Sequence, residues 1–107
     1  MKSLFEHSYN DLSDEIFEKI IEEKSFFVER IISFGQKTPE NLWLTQNRAE
    51  LVFLLKGWAK IQFKNKSEIL YMKPGNYILI EPNEEHRVFE TAPYEETIWL
   101  AIHFDKS

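Results

Sequence analysis

The stretch LTQNRAELVFLLKG, residues 44–57, sets polar residues ahead of an acid, Glu50, then runs into a strongly apolar segment closed by Gly57. Alternation along an extended chain puts Glu50, Val52, Leu54 and Lys56 on one face and Ala49, Leu51, Phe53 and Leu55 on the other. If Glu50 faces solvent, the segment is an ordinary strand entered from a polar loop. If it faces the interior, burial of its charge is expensive, and it needs a cation, a hydrogen-bond donor or a proton. A metal ion, Arg48 or Arg87 could each answer that need.

Working outward, similar short runs recur. FFVERIISF (26–34), LWL (42–44), WAKIQF (58–63), EILYM (68–72), NYILI (76–80), HRVFE (86–90) and TIWLAIHF (97–104) are rich in β-branched and aromatic residues and read as strands. With ELVFLLK they make eight, separated by short turn segments, of which KNKS, KPG, EPNEE and APYEE divide the later ones. Many short strands at close spacing predict an all-β sandwich or barrel. Pro74-Gly75 suits the centre of a type II turn, since glycine accepts the positive φ required there.

The N-terminal part reads differently. Ser13 fits an N-cap over DEIFEKIIEEK, with Asp14 and Glu15 in the first turn, where the helix dipole favours acids. Ile16, Phe17, Ile20 and Ile21 would then form one apolar stripe packed on the main body, or else an interface to a partner. The expectation is one short helix, an arm over residues 1–12 and a single domain over 13–107.

Composition narrows the function classes. The chain has 107 residues, 43% of them hydrophobic, enough to bury a core. It contains no cysteine, which excludes disulfides, thiolate metal sites and cysteine nucleophiles and fits a reducing compartment. A net charge of −5 gives no electrostatic footprint for nucleic acid or anionic lipid. No run approaches the roughly 18 apolar residues of a membrane span, and MKSLFEHSYNDLSDE lacks the apolar core of a signal peptide. A cytoplasmic protein is expected. No nucleophile-elbow serine, paired-carboxylate arrangement or glycine-rich phosphate loop is present; the acid pairs at 84–85 and 95–96 read as solvated turns.

There are three histidines. His7 lies in the arm and reads as solvated. His86 follows EPNEE and opens a strand, and His103 shares a strand face with Trp99 and Ala101.

Glu50 six residues after Leu44 and seven before Gly57, together with Gly75 eleven residues before His86, resembles the two motifs of the cupin superfamily. The likeness extends over roughly residues 13 to 104 to one branch of small single-domain cupins. It runs through Ser33-Phe34-Gly35-Gln36, Trp43, Gln46, Glu50, Leu54-Leu55-Lys56-Gly57, Met72-Lys73-Pro74-Gly75-Asn76-Tyr77, His86-Arg87-Val88 and Trp99-Leu100-Ala101-Ile102-His103. The resemblance implies a double-stranded β-helix, a jelly-roll barrel, with the site inside it. It implies a homodimer, for which the apolar outer strands supply surface. It also implies a divalent metal (Fe, Mn, Ni, Cu or Zn) held by Glu50, His86 and Gln46.

Departures bear on that site. The first motif's two histidines fall at Leu44 and Gln46; leucine cannot ligate, and a glutamine carbonyl is a weaker ligand than imidazole. The second motif's proline falls at Glu81 and its glycine at Asn83, which tolerates left-handed geometry. Trp43, Gln46 and His103 are expected to line a ligand pocket, and His103 could complete the metal set. Two readings stand: a small cupin binding a metal and a small polar ligand, and a metal-free barrel that binds a small molecule or acts as an interaction module.

Overall fold

The computed structural model describes residues 1–106. Eight strands make it up: β1 (Ile16–Glu22), β2 (Phe26–Ser33), β3 (Ala49–Lys56), β4 (Ala59–Phe63), β5 (Ile69–Met72), β6 (Tyr77–Ile80), β7 (His86–Thr91) and β8 (Thr97–Phe104). They form two antiparallel sheets, one of five strands in the order β1-β2-β8-β3-β6 and one of three in the order β5-β4-β7. The non-sequential neighbours, β8 between β2 and β3 and β7 beside β4, give the jelly-roll wiring that the strand count implied.

No helix occurs among the described residues, and so none is long and apolar enough to cross a membrane. The expected N-terminal helix is instead the edge strand β1, paired with β2 from Ile16↔Ile32 to Glu22↔Phe27. A short isolated helix is marginal in water, whereas β2 offers an open row of backbone groups to an isoleucine-rich segment. A bulge between Lys19 and Ile21 interrupts the alternation, which is why the apolar residues fall at spacings that imitate a helical stripe. That stripe is not packed on the body: Phe17, Ile20 and Ile21 are exposed. The other correction falls at 42–44, where no strand forms. Only Leu44 bridges β7, its N–H donating to the His86 carbonyl at 2.7 Å and its own carbonyl accepting from the His86 N–H at 3.0 Å.

The core lies between the sheets and comprises Val52, Leu54, Ala59, Ile61, Phe63, Met72, Ile80 and Trp99. Leu54, on the Glu50 face of β3, is fully buried; complete burial of such a side chain is worth about 1.5–3 kcal/mol. Trp99 anchors its indole N–H on the Ser33 hydroxyl at 3.1 Å. The turn at Pro74-Gly75 forms as expected, with Gly75 at φ 93° and the Asn76 N–H donating to the Lys73 carbonyl at 2.9 Å. Asn83 takes the left-handed conformation, φ 64°, in the turn before β7.

The N-terminal arm is tied down. Arg30 donates to the carbonyls of Ser3, Leu4 and Glu6. The Tyr9 N–H donates to His7 Nδ1, so Nε2 carries the ring proton and donates to Glu96 at 2.7 Å. Glu96 also accepts from Lys56 at 3.0 Å. His7 and Glu96, expected to be solvated, are therefore largely enclosed partners. Burial alone would raise the Glu96 carboxyl, but the hydrogen bonds from His7 and Lys56 outweigh it and hold the group below its usual range.

Candidate functional site in the barrel interior

A cavity of about 350 Å³ lies between the sheets. Its walls are mostly hydrocarbon, from Ile31 on β2, Val52 on β3, Ile61 on β4, Ile78 and Ile80 on β6, Val88 on β7 and Trp99 on β8. Set into them are Glu15, Glu29, Gln46, Glu50, His86 and His103, with Leu44, Thr45 and Phe17 completing the lining. Among the described residues, no lysine or arginine lines it.

Alternation explains how each polar group arrives. Glu50 shares its face of β3 with Val52 and Leu54, so it points inward with them. It is paired across the sheet with His103 of β8, which shares its face with buried Ala101 and Trp99. Phe27 of β2 lies on the other side of His103 in register, and the two rings stack at 4.2 Å between centroids with 13° between planes. That same β2 face carries Glu29, whose Oε1 accepts from His103 Nε2 at 3.0 Å; Glu50 Oε2 lies 3.7 Å from the same nitrogen. One imidazole therefore sits between two enclosed carboxylates.

Gln46 reaches the cavity because its carbonyl accepts from the Asn83 N–H at 2.7 Å, which lays segment 44–46 alongside the turn before β7. Its amide nitrogen donates to Glu50 Oε1 at 2.9 Å. Neither arginine supplies that contact. Arg48 pairs with Asp105 and the Lys24 carbonyl, and Arg87 lies over the rings of Trp43 and Phe89. Burial pushes the Glu50 carboxyl above the ordinary value of 4.5, and the charge of Glu29 adds to this; His103, His86 and the Gln46 hydrogen bond pull the other way without cancelling it.

His86 is 6% exposed and has its backbone locked by the Leu44 bridge. Its Nδ1 lies 3.1 Å from the Glu84 carbonyl. A carbonyl only accepts, so Nδ1 bears a proton, which in the neutral tautomer leaves the lone pair on Nε2. Among the described residues, no side chain or backbone group pairs with that lone pair.

Four of the five expected site residues, Gln46, Glu50, His86 and His103, thus surround one hollow. Trp43 does not. It lies outside the lining, with the Arg87 guanidinium 5.7 Å from its ring centroid; its neighbours Leu44 and Thr45 hold the wall, and the indole is drawn to the cation outside. Glu29 and Glu15 join the site without having been expected. The available signal was an acid in the middle of FFVERIISF, on the same alternating face as Phe27 and Ile31.

The residues that face the hollow fit a metal ion poorly. Among the described residues, no three His, Cys, Asp or Glu side chains gather as ligands for one ion. Leu44 and Gln46 replace two imidazoles, the Gln46 nitrogen is turned to Glu50, and His103 Nε2 is turned to Glu29.

Two facing antiparallel sheets with jelly-roll wiring, enclosing a polar-lined hollow, define a double-stranded β-helix barrel with an interior site. A protein of Ralstonia eutropha JMP134, provisionally named a mannose-6-phosphate isomerase, is 34% identical, with 99% of this chain and 98% of that one covered and a TM-score of 0.94. A cupin superfamily protein of Desulfitobacterium hafniense DCB-2 shares the fold at 11% identity, with 92% and 84% covered and a TM-score of 0.74. An RmlC-like cupin of Methanocaldococcus jannaschii does so at 13% identity, with 98% and 92% covered and a TM-score of 0.70. The chain belongs to the cupin superfamily. No family model matches it, and neither does any curated protein.

Proposed function

We propose that this cupin binds a small organic molecule in its barrel without the help of a metal. The apolar body of the ligand rests on the isoleucines and Trp99, and its polar head meets Glu29, Glu50, Gln46, His86 and His103. The observation that carries this reading is the His103 imidazole held between Glu29 and Glu50 at 3.0 and 3.7 Å in the wall of an otherwise apolar cavity. Buried polar groups that serve only stability are usually closed off by partners; here Glu50 Oε2 and His86 Nε2 remain available to a guest. The site gives little support to mannose 6-phosphate, the sugar phosphate in the relative's name, because no lysine or arginine is there to receive the phosphate.

A second reading, a divalent ion on Glu50, His86 and a turned-over Gln46 amide, is favoured by the unshared His86 Nε2 in the same cavity as Glu50. Tag-free protein analysed for metals by mass spectrometry, as wild type and His86→Ala, separates the two. We expect substoichiometric metal that does not respond to the substitution. One equivalent of metal that disappears in His86→Ala would establish the second reading instead.

We further propose a homodimer through the outer face of the five-stranded sheet. Leu51 and Phe53 alternate outward on β3, and Tyr77 and Leu79 are exposed on β6 beside them. Sedimentation should give a dimer at micromolar concentration, and a monomer there would remove this proposal.

A further inference from the structure

We propose that the ligand of this cavity is a cation, specifically a small organic ammonium ion with an apolar body. This deepens the preceding reading and rests on it. The polar side chains facing the hollow offer acceptors almost without exception. Glu29 and Glu50 are carboxylates, and His86 keeps its Nε2 lone pair. Gln46 retains its amide oxygen after its nitrogen has bonded to Glu50. The His103 Nε2–H is already directed at Glu29, and Glu15 accepts from the Ser33 hydroxyl at 2.5 Å. Among the described residues, the Thr45 hydroxyl is the one flexible donor in the lining.

The cations closest in sequence to these groups are held elsewhere. Arg30, next to Glu29, pairs with Glu18 and the arm carbonyls; Arg48, two residues before Glu50, pairs with Asp105; Arg87, next to His86, lies over Trp43 and Phe89. The hollow is therefore a cavity of acceptors whose wall includes largely buried His86, with its Nε2 unpartnered among the described residues, and not merely a patch of acids. An ammonium group supplies N–H donors and the missing positive charge together, and charge-assisted hydrogen bonds are the stronger kind. Trp99 adds aromatic surface to the wall. The hydrocarbon walls suit an alkyl body. A phosphate or carboxylate head would meet two enclosed carboxylates with no counter-ion.

The test uses the full chain, stripped of metal by chelator, with methyl-labelled isoleucine and valine. n-Butylammonium, n-butanol, butyrate and Zn²⁺ are titrated separately, and shifts are followed at Ile78, Ile80 and Val88. We expect n-butylammonium to bind at least roughly tenfold more tightly than n-butanol, the equivalent of one charge-assisted hydrogen bond, and butyrate not to bind. Glu50→Gln and Glu29→Gln, each checked for fold by its amide spectrum, should reduce that preference while leaving n-butanol binding in place. Equal binding of n-butanol, or tighter binding of butyrate, overturns the charge assignment but keeps the cavity as a binding site. A response to Zn²⁺ alone overturns the assignment in favour of a metal. Silence of all these methyls toward every probe sinks both this inference and the binding reading on which it rests.

Discussion

Strand β3 passes through two regions that could hardly differ more. At Leu54 it lies in packed hydrocarbon, in the same buried cluster as Ala59 and Met72. Four residues earlier, on the same face, Glu50 looks into a cavity of about 350 Å³ with two further carboxylates and two imidazoles in its wall. Packing that excludes solvent stabilises the first region. The second gives up that stabilisation and encloses groups that fold the chain no better for being there. A region that costs stability and still holds a defined arrangement of acceptors is where function is expected.

Substitutions can break this contrast. The largest effect should come from the packed region: Leu54→Ala should lower unfolding free energy by about 2–5 kcal/mol, the usual cost of a cavity at a fully buried leucine, as read by urea denaturation. Gly57→Ala should follow. Gly57 has φ 81°, and an added Cβ would stand 2.5 Å from Thr97 Oγ1 and 2.7 Å from the Glu96 carbonyl; a loss of about 1–3 kcal/mol is expected.

In the hollow region the sign should reverse. Glu50 has its folded-state pKa raised above 4.5. Its favourable contribution is therefore complete below 4.5 and is lost as pH rises through the folded value. Glu50→Gln should melt higher than wild type at pH 7, and the advantage should fade as pH is lowered toward 4.5. An advantage that is constant with pH would mean that the carboxyl carries no burial penalty. The smallest effect belongs to the exposed pair Lys64–Glu85, 3.3 Å apart at the end of the β4–β7 pairing; Lys64→Ala should change stability by less than about 0.5 kcal/mol.

Much of this contrast was legible in the sequence. Seven of the eight strands follow from runs of β-branched and aromatic residues between turn residues, and Glu50 and His86 stand at spacings that resemble cupin motifs. What stayed hidden depended on cross-strand register or on a local irregularity. Glu29 becomes a site residue only because Phe27 pairs with His103, which brings the Glu29 carboxylate to the same imidazole; no spacing along the chain announces that. Strand β1 was masked by its bulge, which converts alternation into an apparent helical stripe. Trp43 lies outside the lining, beside the Arg87 guanidinium; an aromatic next to polar site residues does not by itself mark a pocket wall.

The most direct test of an acceptor-lined hollow is a long-range ¹H–¹⁵N correlation spectrum of the imidazoles, tractable because the chain has only three histidines. The account predicts neutral His86 as the Nδ1–H tautomer with a bare Nε2 that shifts when n-butylammonium is added, and His103 with its proton on Nε2, held by Glu29. His86 protonated on Nε2, or a bare Nε2 indifferent to every guest, would contradict it.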